Sequence, residues 1–186
     1  GYGSGGWKYL QVPQGGGGGY QVPGFDDTAW PTGPAPFRSG GACPLQATVP
    51  FTSWATNTDM LVRRHIALPA GTQGVAVWVA IDNDITEIFW NGVSIGSNSV
   101  HEGCATVDSR FFAVDPADVI ADNVLAIRAR DRGVESYLDI RVVSGGIPVE
   151  AAGEGVERTE NQGTGGDPVG TFHGQFTYSF TDLAIR

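Results

Sequence analysis

Residues 75–95, VAVWVAIDNDITEIFWNGVSI, decide the fold. The runs VAVWVAI (75–81) and TEIFW (86–90) are rich in β-branched and aromatic residues, and each has the length of a single strand. Between them Asp82-Asn83-Asp84 breaks the apolar pattern, as a change of strand requires. Asn91-Gly92 then separates Phe89-Trp90 from Val93-Ser94-Ile95. Asn-Gly tolerates positive φ at both central residues of a type I′ turn, so the pair marks a tight antiparallel hairpin.

Working outward, the same strand signals recur in MLVRRHIAL (60–68), RFFAV (110–114), NVLAIRAR (123–130) and SYLDIRVV (136–143). One helical turn is expected at 115–121, with Asp115 as N-cap and Pro116 at the first position. Seven or more short strands at this spacing predict an all-β fold, an antiparallel two-sheet β-sandwich with one short helical turn. Before them, WKYLQV (7–12) reads as a strand. The GGGGG run (15–19) reads as a flexible loop rather than a phosphate cradle, because no Lys-Ser/Thr follows it. Residues 26–46 are turn-rich with four prolines, yet Trp30 and Phe37 need something to pack against, so an ordered irregular segment is expected. The sandwich domain is placed at 1–143 and a Gly-rich acidic linker at 144–170. An amphipathic C-terminal strand is placed at 171–186, where Phe176, Tyr178 and Phe180 face one way and Thr177, Ser179 and Thr181 the other. Leu183 and Ile185 continue its apolar complement.

Composition narrows the function. With 41% hydrophobic and 17% charged residues, 186 residues are enough to bury a core. Twenty acidic against 11 basic residues, a formal net charge of −9, argue against nucleic acid or an anionic membrane surface as partner. No apolar run reaches the ~18 residues that would cross a bilayer, so membrane insertion is not expected. Gly1 reads as a processed or cut end. Cys43 and Cys104 both sit in loop-like stretches, GGACP and HEGCA, without a CxxC or a neighbouring His cluster. Loop thiols persist as a disulfide in an oxidising compartment, so the pair predicts a bridge and an extracellular or cell-surface location.

In order along the chain, WKYLQV, FDDTAWPTGPAPF, LVRRHIALP, VAIDNDITEIFWNGVSIG and NVLAIRARDRGVESYLDIRV resemble the galactose-binding-like jelly-roll domains of secreted bacterial proteins, over about residues 7–143. The most specific matches are Asp26-Asp27-Thr28-Ala29-Trp30, Trp90-Asn91-Gly92 and the strand from Asn123 to Ile127. The resemblance implies a jelly roll, often with one structural calcium ion and sometimes a sugar site on the loops at one end. Separately, Asp167-Pro168-Val169 followed by residues 174–185, GQFTYSFTDLAI, resembles the lead-in to the shell of Rhs/YD-repeat proteins.

The candidate calcium ligands are Asp26, Asp27, Asp82, Asp84 and Asp139; Asp82 and Asp84 would point to one side of an extended chain and offer hard oxygen ligands. A glycan site would combine an aromatic platform with polar side chains: Trp54 with Asn57, or Asp131 with Arg132. Gly92-Val93-Ser94-Ile95-Gly96 matches GxSxG, but it starts in a hairpin turn and no helix follows, so it lacks the context of a nucleophile elbow. His65, His101 and His173 have no metal-binding spacing, although His101-Glu102 stands close to Cys104. No general acid, base and nucleophile assemble, and the expectation is a non-enzyme. Its leading function is a structural or adhesive building block that self-associates into a fibre or tube by adding residues 171–186 to a neighbour's sheet. The alternative is a carbohydrate-binding module of an Rhs-like surface protein.

Overall fold

The structure, a computed structural model, describes residues 1–47, 49–99 and 103–144, all within the unit Gly1–Gly145. The linker beyond Ser144, the C-terminal strand with Phe176, Tyr178, Phe180, Leu183 and Ile185, and also His101 and His173 lie outside the described residues.

Among the described residues, eleven strands form two sheets. The first, sheet A, has the order β2 (Thr32–Gly33), β1 (Trp7–Pro13), β5 (Thr58–Ala67), β10 (Asp122–Arg130), β7 (Asp84–Trp90), β8 (Val93–Asn98). Sheet B has the order β4 (Thr52–Ser53), β3 (Phe37–Arg38), β11 (Tyr137–Val143), β6 (Ala76–Asp82), β9 (Arg110–Ala113). The expected β-sandwich is therefore the fold, with one departure from an all-antiparallel pattern. β3 and β4 pair in parallel, Phe37 with Thr52 and Arg38 with Ser53, because the chain between them loops out through the 3-10 turn Pro44–Ala47 and returns in the same direction.

The quoted stretch folds much as its residues dictate. Val77, Val79 and Ile81 of β6 point into the core, and Ile85, Ile88 and Trp90 of β7 meet them from the opposite sheet. The Asp82-Asn83-Asp84 break carries the chain from sheet B to sheet A. Asn91 and Gly92 have φ of 52° and 85°, as a type I′ turn needs. Asn91 also ties this turn to β10: its Nδ2 donates to the Asp118 carbonyl (2.7 Å) and to Asn123 Oδ1 (2.9 Å), while Val124 N donates back to Asn91 Oδ1 (2.7 Å). Trp90 Nε1 donates to the same Asn123 oxygen at 3.1 Å, so two of the three most specific pieces of the jelly-roll resemblance meet in one polar knot. Asp115 caps the expected helical turn, a 3-10 turn at Pro116–Asp118, by accepting from Ala117 N at 2.9 Å.

β5 from Asp59 to Arg63 and β10 from Asn123 to Ala129 are buried on both faces because a second layer covers this part of sheet A. In β10 the core-facing side chains are Leu125, Ile127 and Ala129. The outward ones include Ala126, which packs with Tyr20 and Leu61. That second layer is the glycine run and the residues after it. Gly17 adopts φ +72°, and a Cβ there would lie 2.9 Å from Leu61 Cδ1, so only glycine lets the loop approach this closely. The Gly16 and Gly17 carbonyls accept from Arg128 Nη1 and Nη2 at 2.7 and 2.8 Å. The stretch expected as a flexible loop is instead a strap bonded to the sheet, and its glycines serve close approach.

Candidate functional site

The loops that end β3, β6 and β10 meet at one end of the sandwich, and of the candidates Cys43, Asp82, Asp84, Asp131 and Arg132 lie on or beside them. Cys43 and Cys104 form the expected disulfide, with sulfurs 2.02 Å apart. Next to it Glu135, in the β10–β11 loop, accepts from Ala42 N (2.8 Å) and Cys43 N (3.3 Å). The disulfide, Glu135, Val134, Asp82 and Asn83 line an open cleft of about 470 Å³. Cys43, Cys104 and Glu135 are the one group among the described residues whose three ligand atoms lie within 4.8 Å of one another. The bridged sulfurs cannot act as thiolate ligands, so the group is not a metal centre.

Asn83 links the two sides of the cleft's floor. Its Oδ1 accepts from Arg132 N at 2.6 Å, and its backbone N donates to the Arg130 carbonyl at 3.2 Å. Arg132 Nε reaches Asp84 Oδ2 at 2.5 Å, an ion pair with one fully buried partner. Behind it Asp131 is fully buried; its Oδ2 accepts from Asn57 N (2.6 Å) and Gly133 N (3.2 Å), and its Oδ1 has no partner among the described residues. Burial pushes the Asp131 carboxyl above the usual carboxylate range, and the two backbone N–H groups offset this only in part.

Three of the four glycan candidates, Asn57, Asp131 and Arg132, therefore share one end of the molecule. The fourth is a correction. Trp54, expected on an exposed face, is 0% exposed, packs in the core and donates through Nε1 to Thr58 Oγ1 at 3.0 Å. A large indole between two sheets gains more from burial than a loop platform could return. The candidate calcium ligands do not form one set either. Asp26 caps a local turn by accepting from Thr28 N and Oγ1 (3.0 and 2.6 Å), and Asp27 pairs with Arg63 at 2.7 Å. Asp82 and Asp84 close the ends of strands in opposite sheets, and Asp139 lies on β11, held by Gly3 N and Ile140 N. Sequence spacing could not show that arginines, backbone N–H groups and the Thr28 and Asn83 side chains already answer these carboxylates.

No protein-family model matches the chain, and no curated protein matches it. Among solved structures, a glycosyl hydrolase family 2 member from Bacteroides cellulosilyticus is similar over 76% of this chain and 20% of its own, at 16% identity and a TM-score of 0.47. A β-glucuronidase from glycoside hydrolase family 2 is similar over 71% of this chain and 14% of its own, at 19% identity and a TM-score of 0.46. A β-glycosidase from Bacteroides vulgatus is similar over 75% and 19%, at 16% identity and a TM-score of 0.44. The chain thus spans a fifth or less of the length of each of these enzymes. Among the described residues no helix is long and apolar enough to cross a membrane.

The disulfide closes a loop across 61 residues, from sheet B's edge region to the β8–β9 connection. A Cys43→Ser/Cys104→Ser double variant is expected to unfold about 2–4 kcal/mol more easily. Urea titration of the variant beside the parent, without reductant, reads this directly. Equal midpoints would show that the bridge contributes nothing.

Proposed function

We propose that the chain is a non-catalytic extracellular building block that self-associates by strand addition, with residues 171–186 of one copy pairing along β8 of the next. The observation that carries this reading is the edge of sheet A. Among the described residues β7 is the one strand that pairs with β8, and the β8 sequence VSIGSN has no proline and no charge. Of the usual guards of an edge strand, β8 lacks proline, lysine and inward charge, and its pairing with β7 carries two register shifts, between Ile85 and Ile88 and between Ile88 and Phe89. The other edges are less suited: β2 and β4 have two residues each, and β9 has four and begins with Arg110. The C-terminal segment supplies the complement, since alternating Phe176, Tyr178 and Phe180 would continue one face of the sheet while Thr177, Ser179 and Thr181 stay wet. Pairing between unlike surfaces, β8 and the segment, is heterologous, so it propagates unless it closes into a ring. The disulfide supports the extracellular setting.

Sedimentation velocity tests the reading. The 186-residue chain is expected to associate increasingly between micromolar and millimolar concentration. The chain ending at residue 170, and a Ser94→Lys variant that charges the exposed edge, are expected to stay monomeric. A parent that remains monomeric, or a truncated chain that associates as the parent does, overturns the proposal.

A second reading keeps one specific observation, the 470 Å³ cleft lined by the disulfide, Glu135, Asp82 and Asn83, whose Oδ1 accepts from Arg132 N. It would make the loop end a carbohydrate site without the Trp54 platform. Calorimetric titration with mono- and oligosaccharides to millimolar concentration decides it, and a flat trace removes it.

A further inference from the structure

The outer face of sheet B carries a second, smaller cavity that neither reading uses. It measures about 230 Å³ and is lined by Tyr2, Leu45, Ala80, Val107, Tyr137 and Asp139, with Gly3 at its border. Ala80 and Asp139 are cross-strand partners on β6 and β11, so both come from the rigid middle of the sheet. Tyr2, Leu45, Ala80 and Tyr137 pack as one apolar cluster. Into these walls projects one charged group. Asp139 is 3% exposed, and its hydrogen bonds come from backbone alone: Gly3 N at 3.1 Å to each oxygen, and Ile140 N at 2.9 Å. No arginine or lysine of the described residues forms an ion pair with it. The nearest cation along its own strand, Arg141, pairs with Asp108 at 2.8 Å and lies over the rings of Tyr2 and Trp78. Burial pushes the Asp139 carboxyl above its ordinary range, and the Gly3 and Ile140 N–H groups and the α-ammonium of Gly1 offset this only in part.

Asp139 thereby differs from the other fully or nearly fully buried carboxylates with a known partner set. Asp59 and Asp84 each face arginine, and Asp131 is held by Asn57 N and the Gly133 N of its own loop and lines neither of the two cavities described. A carboxylate at the floor of an apolar, aromatic-walled cavity favours a ligand with two properties. The ligand must bring a positive charge to a buried anion, and it must have an alkyl body to fill the remaining space. Tyrosine rings beside the carboxylate add cation–π attraction for such a charge. The volume lies below the ~300–1,000 Å³ of drug-sized sites, so a ligand of a few heavy atoms fits and a sugar chain does not.

We infer that the Asp139 cavity is a binding site for a small alkylammonium group, with Asp139 as counter-ion and Tyr2 and Tyr137 as walls. A free amine and a lysine side chain present the same chemistry. The probes are therefore n-butylammonium, its neutral counterpart n-butanol, and Nα-acetyl-lysine methylamide, each titrated into the full chain by NMR and calorimetry. Saturable n-butylammonium binding is expected, at least tenfold tighter than n-butanol, with the largest shifts at Tyr137 and Asp139. Binding of the lysine derivative as well would identify a protein-borne lysine as the ligand source; binding of n-butylammonium alone would identify free amines. Asp139→Asn should weaken n-butylammonium by at least tenfold while n-butanol is unchanged. Val107 is 57% exposed at the rim, so Val107→Lys can be made without disturbing the core. Its tethered ammonium should compete and weaken n-butylammonium in the same way. Equal affinity for n-butanol, unaltered binding in both variants, or no saturation by n-butylammonium at any attainable concentration would overturn the assignment.

Discussion

Arg63→Ala is expected to lower the unfolding free energy by about 3–5 kcal/mol, the range for breaking a buried ion pair from one side. Arg63 stands on the outer face of β5 at 1% exposure. Its Nε donates to Asp27 Oδ2 at 2.7 Å. Nη1 donates to the Tyr20 carbonyl and to Val22 O (3.1 Å), and Nη2 to Pro23 O and Phe25 O (3.5 Å each). The Phe25 ring lies 5.4 Å from the guanidinium carbon. Residues 20–27 are thus wrapped around one cation, which answers a carboxylate and four carbonyls that no ladder satisfies. Alanine takes this donor from the Asp27 carboxylate and the Tyr20, Pro23 and Phe25 carbonyls, while Val22 O keeps Phe25 N (3.1 Å), and the segment must either open to water or keep unpaired polar groups. Lysine is expected to recover little, because one ammonium cannot reproduce the planar fork. For a domain of this size the change corresponds to a fall in Tm of about 10 °C. Thermal and urea unfolding check it, and limited proteolysis should show new cleavage within residues 20–27. A loss under about 1 kcal/mol with no new cleavage would mean that the strap is held by its apolar contacts alone.

That strap marks the line between what local sequence rules could reveal and what they could not. The Asn91-Gly92 turn, the Asp115 cap, the alternation of β10 and the pairing of two loop cysteines each depend on residues close in sequence or on a unique partner, and each was legible. Gly15–Gly19 were not, because a glycine run has the same composition whether it is a free loop or a loop pressed against a sheet. The deciding contacts, Gly17 against Leu61 and Gly16 and Gly17 beneath Arg128, cross more than forty and more than a hundred residues. Trp54 failed for a related reason. FTSWATN carries no periodicity to assign its indole to a face, and burial was settled by Ser136 Oγ and Thr58 taking up its polar groups. At the candidate site, Asp131 and Arg132 could be paired as neighbours in sequence, whereas the contact of Asn57 N with Asp131 crosses 74 residues and the cleft depends on the disulfide and Glu135 arriving from elsewhere.

The second large effect lies under the same strap. Asp59, fully buried at the start of β5, receives Arg130 Nε (2.7 Å) and Nη2 (2.9 Å), Arg128 Nη1 (3.1 Å) and Gly15 N (2.8 Å). Burial pushes its carboxyl up, but the bonds from Arg130, Gly15 and Arg128 outweigh burial and hold it below the usual carboxylate range. Asp59→Asn keeps the shape, removes the charge and turns an NH2 group toward donors. Arg128 retains Glu87 Oε2 at 2.5 Å and Arg130 is 21% exposed at its side chain, so partial relief is available. The expected loss is therefore about 3 kcal/mol, the lower end for a broken buried pair. The pH dependence distinguishes charge from packing. A carboxyl with a depressed folded pKa stabilises fully above its unfolded value of about 3.9, and that contribution disappears as pH falls through the folded value. The parent should therefore exceed Asp59→Asn by a constant margin from pH 7 to about pH 5, and the margin should narrow as pH falls below about 4. Other carboxylates titrate in both proteins and cancel in the difference. Urea midpoints at pH 7, 5, 4 and 3 measure it, and a margin that stays the same down to pH 3 would assign the effect to packing and not to the Asp59 charge.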